Sequence, residues 1–384
     1  MFLSNIFYSG ILFVSTLLVY LSQRVATALQ RNILFGLAFM VVFLPAAIRY
    51  GIGIDYFSYE VIFHQINSGE PFNKEIGYYL LNYVVGFFGM GFEGFVVVTS
   101  FISYYFIFKA YPRSNAWIIH FLFVCYLYLY TYSNIRSAII YGLMFISVVY
   151  YVETKKLLPF LFSVMVAVCF HKTAVVYMLI PLLFSRVIVG VFNRRYVAEF
   201  FLVVLVLLFF QPGILHAVFF NNPLSKMFGF FDKYSNSAIW GVAPELGTGV
   251  GVFLKVLPLI LFILFRRFFI AKDPKARYLV VLCLVLFACV DLSLAVMIAH
   301  RFEKYFAFVY FLVFYYFLTY MKGYVGFSFI AFNLVFYLFI FNKTIYDSEL
   351  RVRGDGRDTS TLVAPYITIF NKQESSRESE LFVR

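Results

Sequence analysis

Apolar runs long enough to cross a membrane recur along the chain, from Phe2 to the region of Phe341. A helix needs about 20 apolar residues to span the hydrocarbon core of a bilayer. Because 63% of the 384 residues are hydrophobic and only 13% are charged, the chain has too little polar surface for a water-exposed globule. The runs therefore predict a polytopic integral membrane protein of the all-α class, built as one domain of packed helices.

The apolar runs predict about twelve transmembrane helices, the first of them retained rather than cleaved as a signal peptide. The predicted spans cover residues 3–21, 33–48, 92–110, 116–132, 135–152, 157–170, 174–190, 197–215, 250–265, 278–298, 303–320 and 324–341. The segment from Tyr78 to Gly89 is apolar but too short to cross, so we expect a re-entrant or interfacial helix there. The transmembrane domain should then occupy residues 1–341, and a polar tail should occupy residues 342–384.

Basic residues gather in the short loops on one side of the predicted membrane. Short loops rich in Lys and Arg usually stay in the cytoplasm. The extracytoplasmic side should therefore carry the loops at 49–77 and 216–249 and the tail at 342–384. The basic loop residues are Arg24 and Arg31, Lys109 and Arg113, Lys155 and Lys156, Arg194 and Arg195, and the run from Arg266 to Arg277.

The distribution of the charges and the spacing of the cysteines argue against a nucleic-acid partner and against a zinc or disulfide site. The net charge of +12 is spread singly between apolar spans and forms no soluble basic surface, so no nucleic acid is expected as a partner. The four cysteines lie inside apolar runs without paired spacing, which argues against a zinc site or a disulfide framework.

Polar clusters on the extracytoplasmic side form the candidate site. Arg136, the pair His171-Lys172 and the pair His300-Arg301 each open a predicted span that runs inward. A helix N-terminus carries the positive end of the helix dipole, so added cations there are unfavourable unless an anion is bound. A single such cation is usually a snorkelling anchor, but three on the translocated side indicate a site for a phosphate-like anion.

Two further groups extend this cationic face. Tyr305 stands four residues after Arg301 and shares its helical face. A second cluster, from Arg49 to Asp55, leaves the second span through two glycines and presents a carboxylate just outside the membrane. Asp55 could serve as a general base, as an ion-pair partner of an arginine, or as a turn residue. His64 and Glu60 are weaker candidates for the same role.

Seven short motifs follow one another along nearly the whole chain. They are RYGIGIDYFSY at 49–59, GEPFNKEIGYYLL at 69–81, SNIRSAI at 133–139, CFHKTAVVY at 169–177, FDKYSNS at 231–237, HRFEKYF at 300–306 and APY at 364–366. With these motifs in this order and at these positions, the chain resembles the O-antigen and exopolysaccharide polymerases of the Wzy or EpsG type.

The resemblance implies a glycosyltransferase of the GT-C type in the bacterial inner membrane, with its active face in the periplasm. Its substrates would be undecaprenyl-diphosphate-linked oligosaccharides, and neither a nucleotide, a metal nor another cofactor is expected. Membrane lipids would surround it, and a chain-length regulator is a further candidate partner. In the corresponding mechanism the growing glycan moves from its lipid diphosphate to a hydroxyl of the next lipid-linked repeat unit.

We assign roles to the polar residues on this basis. Arg136, Lys172 and Arg301 would bind the diphosphate, together with Arg49 and Tyr305. Asp55, His171 or His300 would orient or deprotonate the acceptor hydroxyl, and Arg49 would also brace Asp55.

Two other functions stay open at this stage. A ligase that transfers the finished glycan to another acceptor would use the same donor and the same cations. A lipid-linked oligosaccharide flippase or transporter would instead place charges at mid-span, where Lys255 and Asp291 are the candidates.

Overall fold

The computed structural model describes residues 2–70, 75–194, 196–221, 249–296, 299–352 and 362–370. These residues are largely helical and contain no β-strand; one isolated antiparallel bridge joins Arg49 to Thr368. The all-α membrane class predicted from the apolar runs is therefore confirmed.

The helices of the described ranges vary widely in length. Their bounds are α1 Phe2–Ser22, α2 Ala28–Ala47, α3 Tyr56–Asn67, α4 Ile76–Phe87, α5 Phe92–Lys109, α6 Ala116–Phe123, α7 Leu129–Ser133, α8 Ile135–Thr154, α9 Leu157–Phe170, α10 Ile180–Leu183, α11 Arg186–Phe192, α12 Val197–Phe210, α13 Pro212–Asn221, α14 Val250–Leu264, α15 Arg266–Lys272, α16 Ala276–Ala295, α17 His300–Tyr305, α18 Phe308–Tyr320 and α19 Tyr324–Val352. A π-helical segment, Val124–Tyr128, joins α6 to α7, and a 3-10 helix, Lys172–Leu179, precedes α10.

Seven helices in the described ranges are long and apolar enough to cross a membrane, or up to eight if one bent pair counts as a span. This number is lower than the predicted number of about twelve, because several of the predicted spans form helices shorter than 18 residues. Four predicted spans correspond to shorter apolar helices of only 10–17 residues. They are the spans at 157–170, 197–215, 250–265 and 303–320. The predicted span at 174–190 is broken, because its two parts meet at an angle of 80°.

The short apolar segment after the second predicted span forms α4, a helix of 12 residues. This agrees with the expectation of a helix too short to cross. The last helix, α19, continues to Val352 and so extends beyond the predicted end at residue 341. The extracytoplasmic location of the tail stays a prediction.

The chain divides into two compact units, which we describe separately. The first comprises Met1–Ser147, Phe162–Val175 and Ala331–Arg384. In it α1 packs against α2 and α6, and α2 packs against α5, while α3, α4 and α5 contact one another. An aromatic cluster fills the space between these last three helices and the start of α8. Its buried members are Tyr56, Tyr59, Phe63, Tyr78, Val85, Phe92, Phe95, Val96 and Ile135.

The second unit comprises Val148–Leu161 and Val176–Ile330. Its central helix is α16, which is almost wholly buried and contacts α11, α12, α13, α14, α15, α17 and α18. Near one end of α14, the buried guanidinium of Arg266 donates to both carboxylate oxygens of Glu199, at 2.7 and 2.8 Å. This bidentate pair offsets the cost of burying the arginine.

Candidate functional site

An ion pair between Arg136 and Glu75 lies at the centre of the candidate site in the first unit. Arg136 is the second residue of α8, in the first turn, where the sequence predicts it. Its Nη1 donates to Oε2 of Glu75 at 3.0 Å, and the two side chains are 20% and 9% exposed. The pair is therefore half-buried, where a charge-assisted hydrogen bond is stronger than at an open surface.

Two tyrosine rings of the aromatic cluster hold the Arg136 guanidinium in place. Its Cζ lies 5.3 Å from the centroid of Tyr78 and 5.7 Å from that of Tyr59. A guanidinium stacked on aromatic faces keeps its charge while its donors remain directed along its edge. Nε of Arg136 is buried and has no hydrogen-bond partner within the described ranges. Because Nε is buried, an anion can reach Arg136 only at the fifth of its side chain that is exposed.

Glu75 connects Arg136 to the segment that follows α9. Its carboxylate accepts a hydrogen bond from the backbone N–H of Lys172 and faces His171. Burial raises the pKa of Glu75, but hydrogen bonds from its own backbone and from Lys172, with the charges of Arg136 and His171, outweigh burial and lower it. Glu75 is therefore ionised at neutral pH and anchors three groups at one point.

A glycine permits this approach of α4 to the end of α9. A Cβ added at Gly77 would lie 2.9 Å from both Cβ and the carbonyl oxygen of Cys169. A real Cβ atom essentially never lies that close to another heavy atom. Only glycine therefore fits here unless the backbone moves. The motifs at 69–81 and 169–177 are consequently held together by close backbone packing.

The imidazole of His171 is fixed by the residue that follows Lys172. Nδ1 of His171 lies 2.9 Å from Oγ1 of Thr173 and accepts from the Thr173 backbone N–H at 3.4 Å. Since Nδ1 accepts, the proton of the neutral ring is at Nε2. The Lys172 side chain is exposed. Lys172 begins a 3-10 helix rather than an α-helix, so the expected α-helical dipole is absent at this position.

The loop that carries Asp55 packs against the end of α7. Gly53 has φ of +106°, and a Cβ added there would lie 2.3 Å from the carbonyl oxygen of Tyr132. The next residue, Ile54, donates its backbone N–H to Oγ of Ser133 at 3.2 Å. Asp55 occupies the N-cap position of α3 without a side-chain capping bond and is partly exposed. The motifs at 49–59 and 133–139 therefore meet.

Arg49 lies inside this unit rather than on its surface. It is 2% exposed and donates to the carbonyl oxygen of Ala46 and, at 3.2 Å, to Oγ of Ser100. Its guanidinium also lies 4.8 Å from the ring centroid of Tyr132. The expected bracing of Asp55 is not among the contacts of Arg49 in the described part of the chain. A small pocket lined by the hydroxyls of Thr99, Ser100, Ser103, Tyr104 and Thr131 adjoins Arg49.

The segment at 362–370 joins the first unit through backbone pairing. Tyr50 donates its N–H to the carbonyl oxygen of Ile367 at 3.0 Å, and Ile369 donates to that of Ile48 at 2.9 Å. The hydroxyl of Tyr366 reaches the carbonyl oxygen of Pro45 at 2.8 Å. The APY motif thus supports the path of the loop that carries Asp55.

The other predicted residues belong to the second unit. His300 and Arg301 begin α17, which has only six residues, so the expected long inward-running helix does not start here. Nδ1 of His300 lies 3.2 Å from Oε2 of Glu303. Tyr305 is 1% exposed, and its carbonyl oxygen accepts from the hydroxyl of Tyr177 at 2.6 Å. Its ring is therefore part of the packed interior.

In the first unit, then, Arg136, His171 and Lys172 meet around a single carboxylate, with Asp55 on the adjoining loop. The sequence reasoning missed Glu75 as the connecting residue. Its position directly before the apolar segment of α4 was the available signal, since a buried cation near such a segment needs an acidic partner. The FDKYSNS motif at 231–237 lies outside the described residues.

Comparison with known proteins gives one family. The model of the EpsG family matches residues 32–367, which is most of the chain. No curated protein matches, and no solved structure matches. The matched range includes the whole of the site around Glu75. The chain belongs to the EpsG family.

Proposed function

We propose that this protein is a polysaccharide polymerase that extends O-antigen or exopolysaccharide chains. It transfers the growing glycan from undecaprenyl diphosphate to the next lipid-linked repeat unit at the periplasmic face of the bacterial inner membrane. Membership of the EpsG family supports this class of activity. The observation that carries the proposal is the Glu75 carboxylate, which gathers Arg136, Lys172 and His171 at one place.

The chemistry of the reaction explains the need for cations. When the bond between the anomeric carbon and the phosphate breaks, the lipid diphosphate leaves with the electron pair and gains negative charge. Arg136 offers a planar set of donors for that charge, and the exposed Lys172 adds a mobile ammonium. Glu75 keeps Arg136 oriented before the substrate binds, so little reorganisation is needed during the reaction.

The acceptor hydroxyl needs one general base, and the candidates are Asp55, His171 and His300. Arg301 in the second unit is a further candidate for the diphosphate. The buried positions of Arg49 and Tyr305 make supporting roles the better proposal for these two residues. No step in this scheme calls for a nucleotide.

The test is the glycan ladder of cells whose own copy is deleted and replaced by variants. Wild-type protein should restore long chains, whereas Arg136→Ala should leave mainly single capped repeat units, with polymer reduced about 100-fold or more. Arg136→Lys should restore only part of the chain length, because lysine lacks the bidentate geometry. The matched control is Arg113→Ala, since Arg113 is an exposed arginine of the same unit.

The outcomes separate the competing functions. Full-length chains from Arg136→Ala would remove this arginine from the site. Loss of all capped lipid in the deletion strain would indicate a ligase, and build-up of repeat units on the cytoplasmic leaflet would indicate a flippase.

A further inference from the structure

The guanidinium of Arg49 lies in the interior of the first unit, and no carboxylate is among its contacts in the described part of the chain. Both hydrogen bonds that it makes there come from Nη1, which donates to the carbonyl oxygen of Ala46 and to Oγ of Ser100. Nε is buried and has no hydrogen-bond partner among the described residues. Because Arg49 is only 2% exposed, bulk water has almost no access to its charge.

The neutral groups around Arg49 compensate its charge only in part. The carbonyl of Ala46, at the C-terminus of α2, and the ring face of Tyr132 each carry partial negative charge. Burying a cation without a full counter-charge is costly. Arg266 shows how this chain compensates another buried arginine, since both carboxylate oxygens of Glu199 accept from it. The contrast indicates that the counter-ion of Arg49 comes from solution.

The pocket beside Arg49 limits the size of such a counter-ion. It is lined by residues of α5, α7 and α8, and all eight lining residues are buried. Its volume is about 10 Å³, which is room for one particle of the size of a water molecule. A phosphate group is too large for this space. The pocket therefore suits a monatomic ion and excludes the diphosphate that the sequence assigned to Arg49.

The five hydroxyls of the pocket differ in whether their proton is available to a ligand. Three donate to backbone carbonyl oxygens: Thr99 to Phe95 at 2.8 Å, Ser103 to Thr99 at 2.7 Å and Thr131 to Tyr128 at 2.6 Å. Since the Thr131 proton is used, the hydroxyl of Tyr104 donates to Oγ1 of Thr131 at 2.8 Å. Ser100 differs, because the carbonyl oxygen of Ala46 is 3.5 Å from its Oγ, which is long for a hydrogen bond. The Ser100 proton is thus available beside the guanidinium.

We propose that this pocket binds a single halide ion, chloride under physiological conditions, through the guanidinium of Arg49 and the hydroxyl of Ser100. A monatomic anion matches the pocket in size, neutralises the guanidinium and accepts from both groups. A water molecule would fit the same space but would leave the charge uncompensated. The ion stabilises the junction where the end of α2 packs against α5, directly before the loop that carries Asp55. The site is independent of diphosphate transfer.

Thermal melts of the purified full-length protein in detergent test whether a halide binds. The protein is exchanged into sodium gluconate, whose anion is too large for the pocket, and chloride or bromide then replaces gluconate at constant ionic strength. Both halides should raise the melting temperature until the site is saturated, by about 2–4 °C at a concentration tenfold above Kd. If the wild-type protein shows no saturable rise, the proposal is overturned and water occupies the pocket.

Two serine variants locate the ion within the pocket. The line width of the ³⁵Cl NMR signal reports chloride bound to the protein, and bromide should compete for the same site. Ser100→Ala removes a donor to the ion and should weaken chloride affinity about tenfold or more. Ser103→Ala is the matched control, because its hydroxyl lines the same pocket but donates to the carbonyl oxygen of Thr99, so chloride affinity should stay nearly unchanged. Equal affinities of the two variants would overturn the proposal.

Arginine variants separate this site from a general effect of salt. Arg49→Met keeps an apolar side chain of similar length but removes the guanidinium, so the saturable rise in melting temperature and the excess line width should both vanish. Arg136→Ala should retain both, because Arg136 pairs with Glu75 and does not line the pocket. Chloride binding by Arg49→Met at wild-type affinity would place the ion elsewhere and overturn the proposal. If Arg49→Met does not fold, the comparison of Ser100→Ala with Ser103→Ala decides.

Discussion

At the scale of single residues, the Glu75 carboxylate lies among the Arg136 guanidinium, the Lys172 backbone N–H and His171. We expect Glu75→Gln to lower the free energy of unfolding by about 1–3 kcal/mol, because Arg136 loses its charged partner in a half-buried setting. The loss should appear as a lower melting temperature in detergent at pH 7, together with shortened glycan chains. The surface variant Glu153→Gln should melt like the wild type.

The same pair predicts how stability depends on pH. Glu75 has a pKa below its ordinary value of 4.5 in the folded state, so its stabilising contribution is complete above that value. The contribution is lost as the pH falls through the folded pKa, because the protonated carboxyl no longer attracts Arg136. The difference in melting temperature between wild type and Glu75→Gln should thus be constant from pH 7 to about pH 5 and shrink below it. A difference that persists undiminished well below the folded pKa would contradict the ion pair.

Gly53 gives a second prediction at this scale, with a matched control in the same chain. Gly53 and Gly69 both have positive φ, at +106° and +81°, so alanine is strained at either position. Only at Gly53 would the new Cβ also meet a backbone atom, since nothing lies within 4 Å at Gly69. Gly53→Ala should therefore displace Asp55 and lower polymer output about tenfold or more, whereas Gly69→Ala should cost about 1–2 kcal/mol with little loss of activity. Equal effects of the two variants on polymer output would show that backbone strain, not contact with Tyr132, matters.

Residue-scale reasoning from sequence succeeded where the relevant contacts are local. Arg136 lies in the first turn of α8, as the preceding Ser133-Asn134 pair predicts. The partner of Arg136 is 61 positions away in the chain, and no local pattern specifies it. Arg136 begins an α-helix of 20 residues, as the sequence predicts, whereas Lys172 begins a 3-10 helix and His300 begins a helix of only six residues.

At the scale of elements, the apolar runs predicted the long spans well and the broken one poorly. Hydropathy treats residues 174–190 as one run, yet the chain bends by 80° between Leu183 and Arg186. Ser185 begins a new helix there, because its side chain accepts from the backbone N–H of Ile188. Pro181 stands in the first turn of the short helix before it. Capping and proline geometry act over one turn, so a window of about 19 residues averages them away.

The segment at 362–370 is the element that the sequence predicted least well, since the tail was expected only to be polar. Oγ of Ser348 accepts the backbone N–H groups of both Val363 and Ala364, at 2.7 and 3.1 Å. The hydroxyl of Tyr8 donates to the carbonyl oxygen of Val363 at 2.7 Å. These partners are 15 to 355 positions apart in the chain, which explains why composition alone did not reveal them.

This packing predicts different effects for two truncations. Removal of residues 362–384 should lower the melting temperature and the yield of monodisperse protein, because buried donors and acceptors around Tyr8, Ser348 and Pro45 lose their partners. Removal of residues 371–384 leaves all of these bonds in place and should preserve both properties. Ser348→Ala should reproduce part of the first effect, at about 1–3 kcal/mol, since it leaves two backbone N–H groups unsatisfied. Size-exclusion chromatography in detergent with thermal melts measures all three; equal behaviour of the two truncations would contradict the packing.

At the scale of the whole molecule, the packing of the first unit determines which of three segments lie on the same side of the membrane. Helix α2 has 20 residues and is about 30 Å long, so the turn at 23–27 and the loop at 48–53 lie at its opposite ends. The backbone bonds between that loop and the segment at 367–369 place the end of the described chain on the same side as Asp55. The basic short loops, including Arg24, predict that the turn at 23–27 faces the cytoplasm.

Single cysteines at exposed positions of this unit test that arrangement, in a background whose four native cysteines are replaced. Ser58→Cys and Phe370→Cys should both react with a membrane-impermeant maleimide from the periplasmic side, whereas Ala26→Cys should react only after the membrane is permeabilised. Reaction of the first two from opposite sides would be incompatible with the bonds between the Asp55 loop and the tail. If instead both react only after permeabilisation and Ala26→Cys reacts before it, the packing stands but the orientation is reversed. The cationic site would then face the cytoplasm, where a polymerase acting on translocated repeat units could not use it.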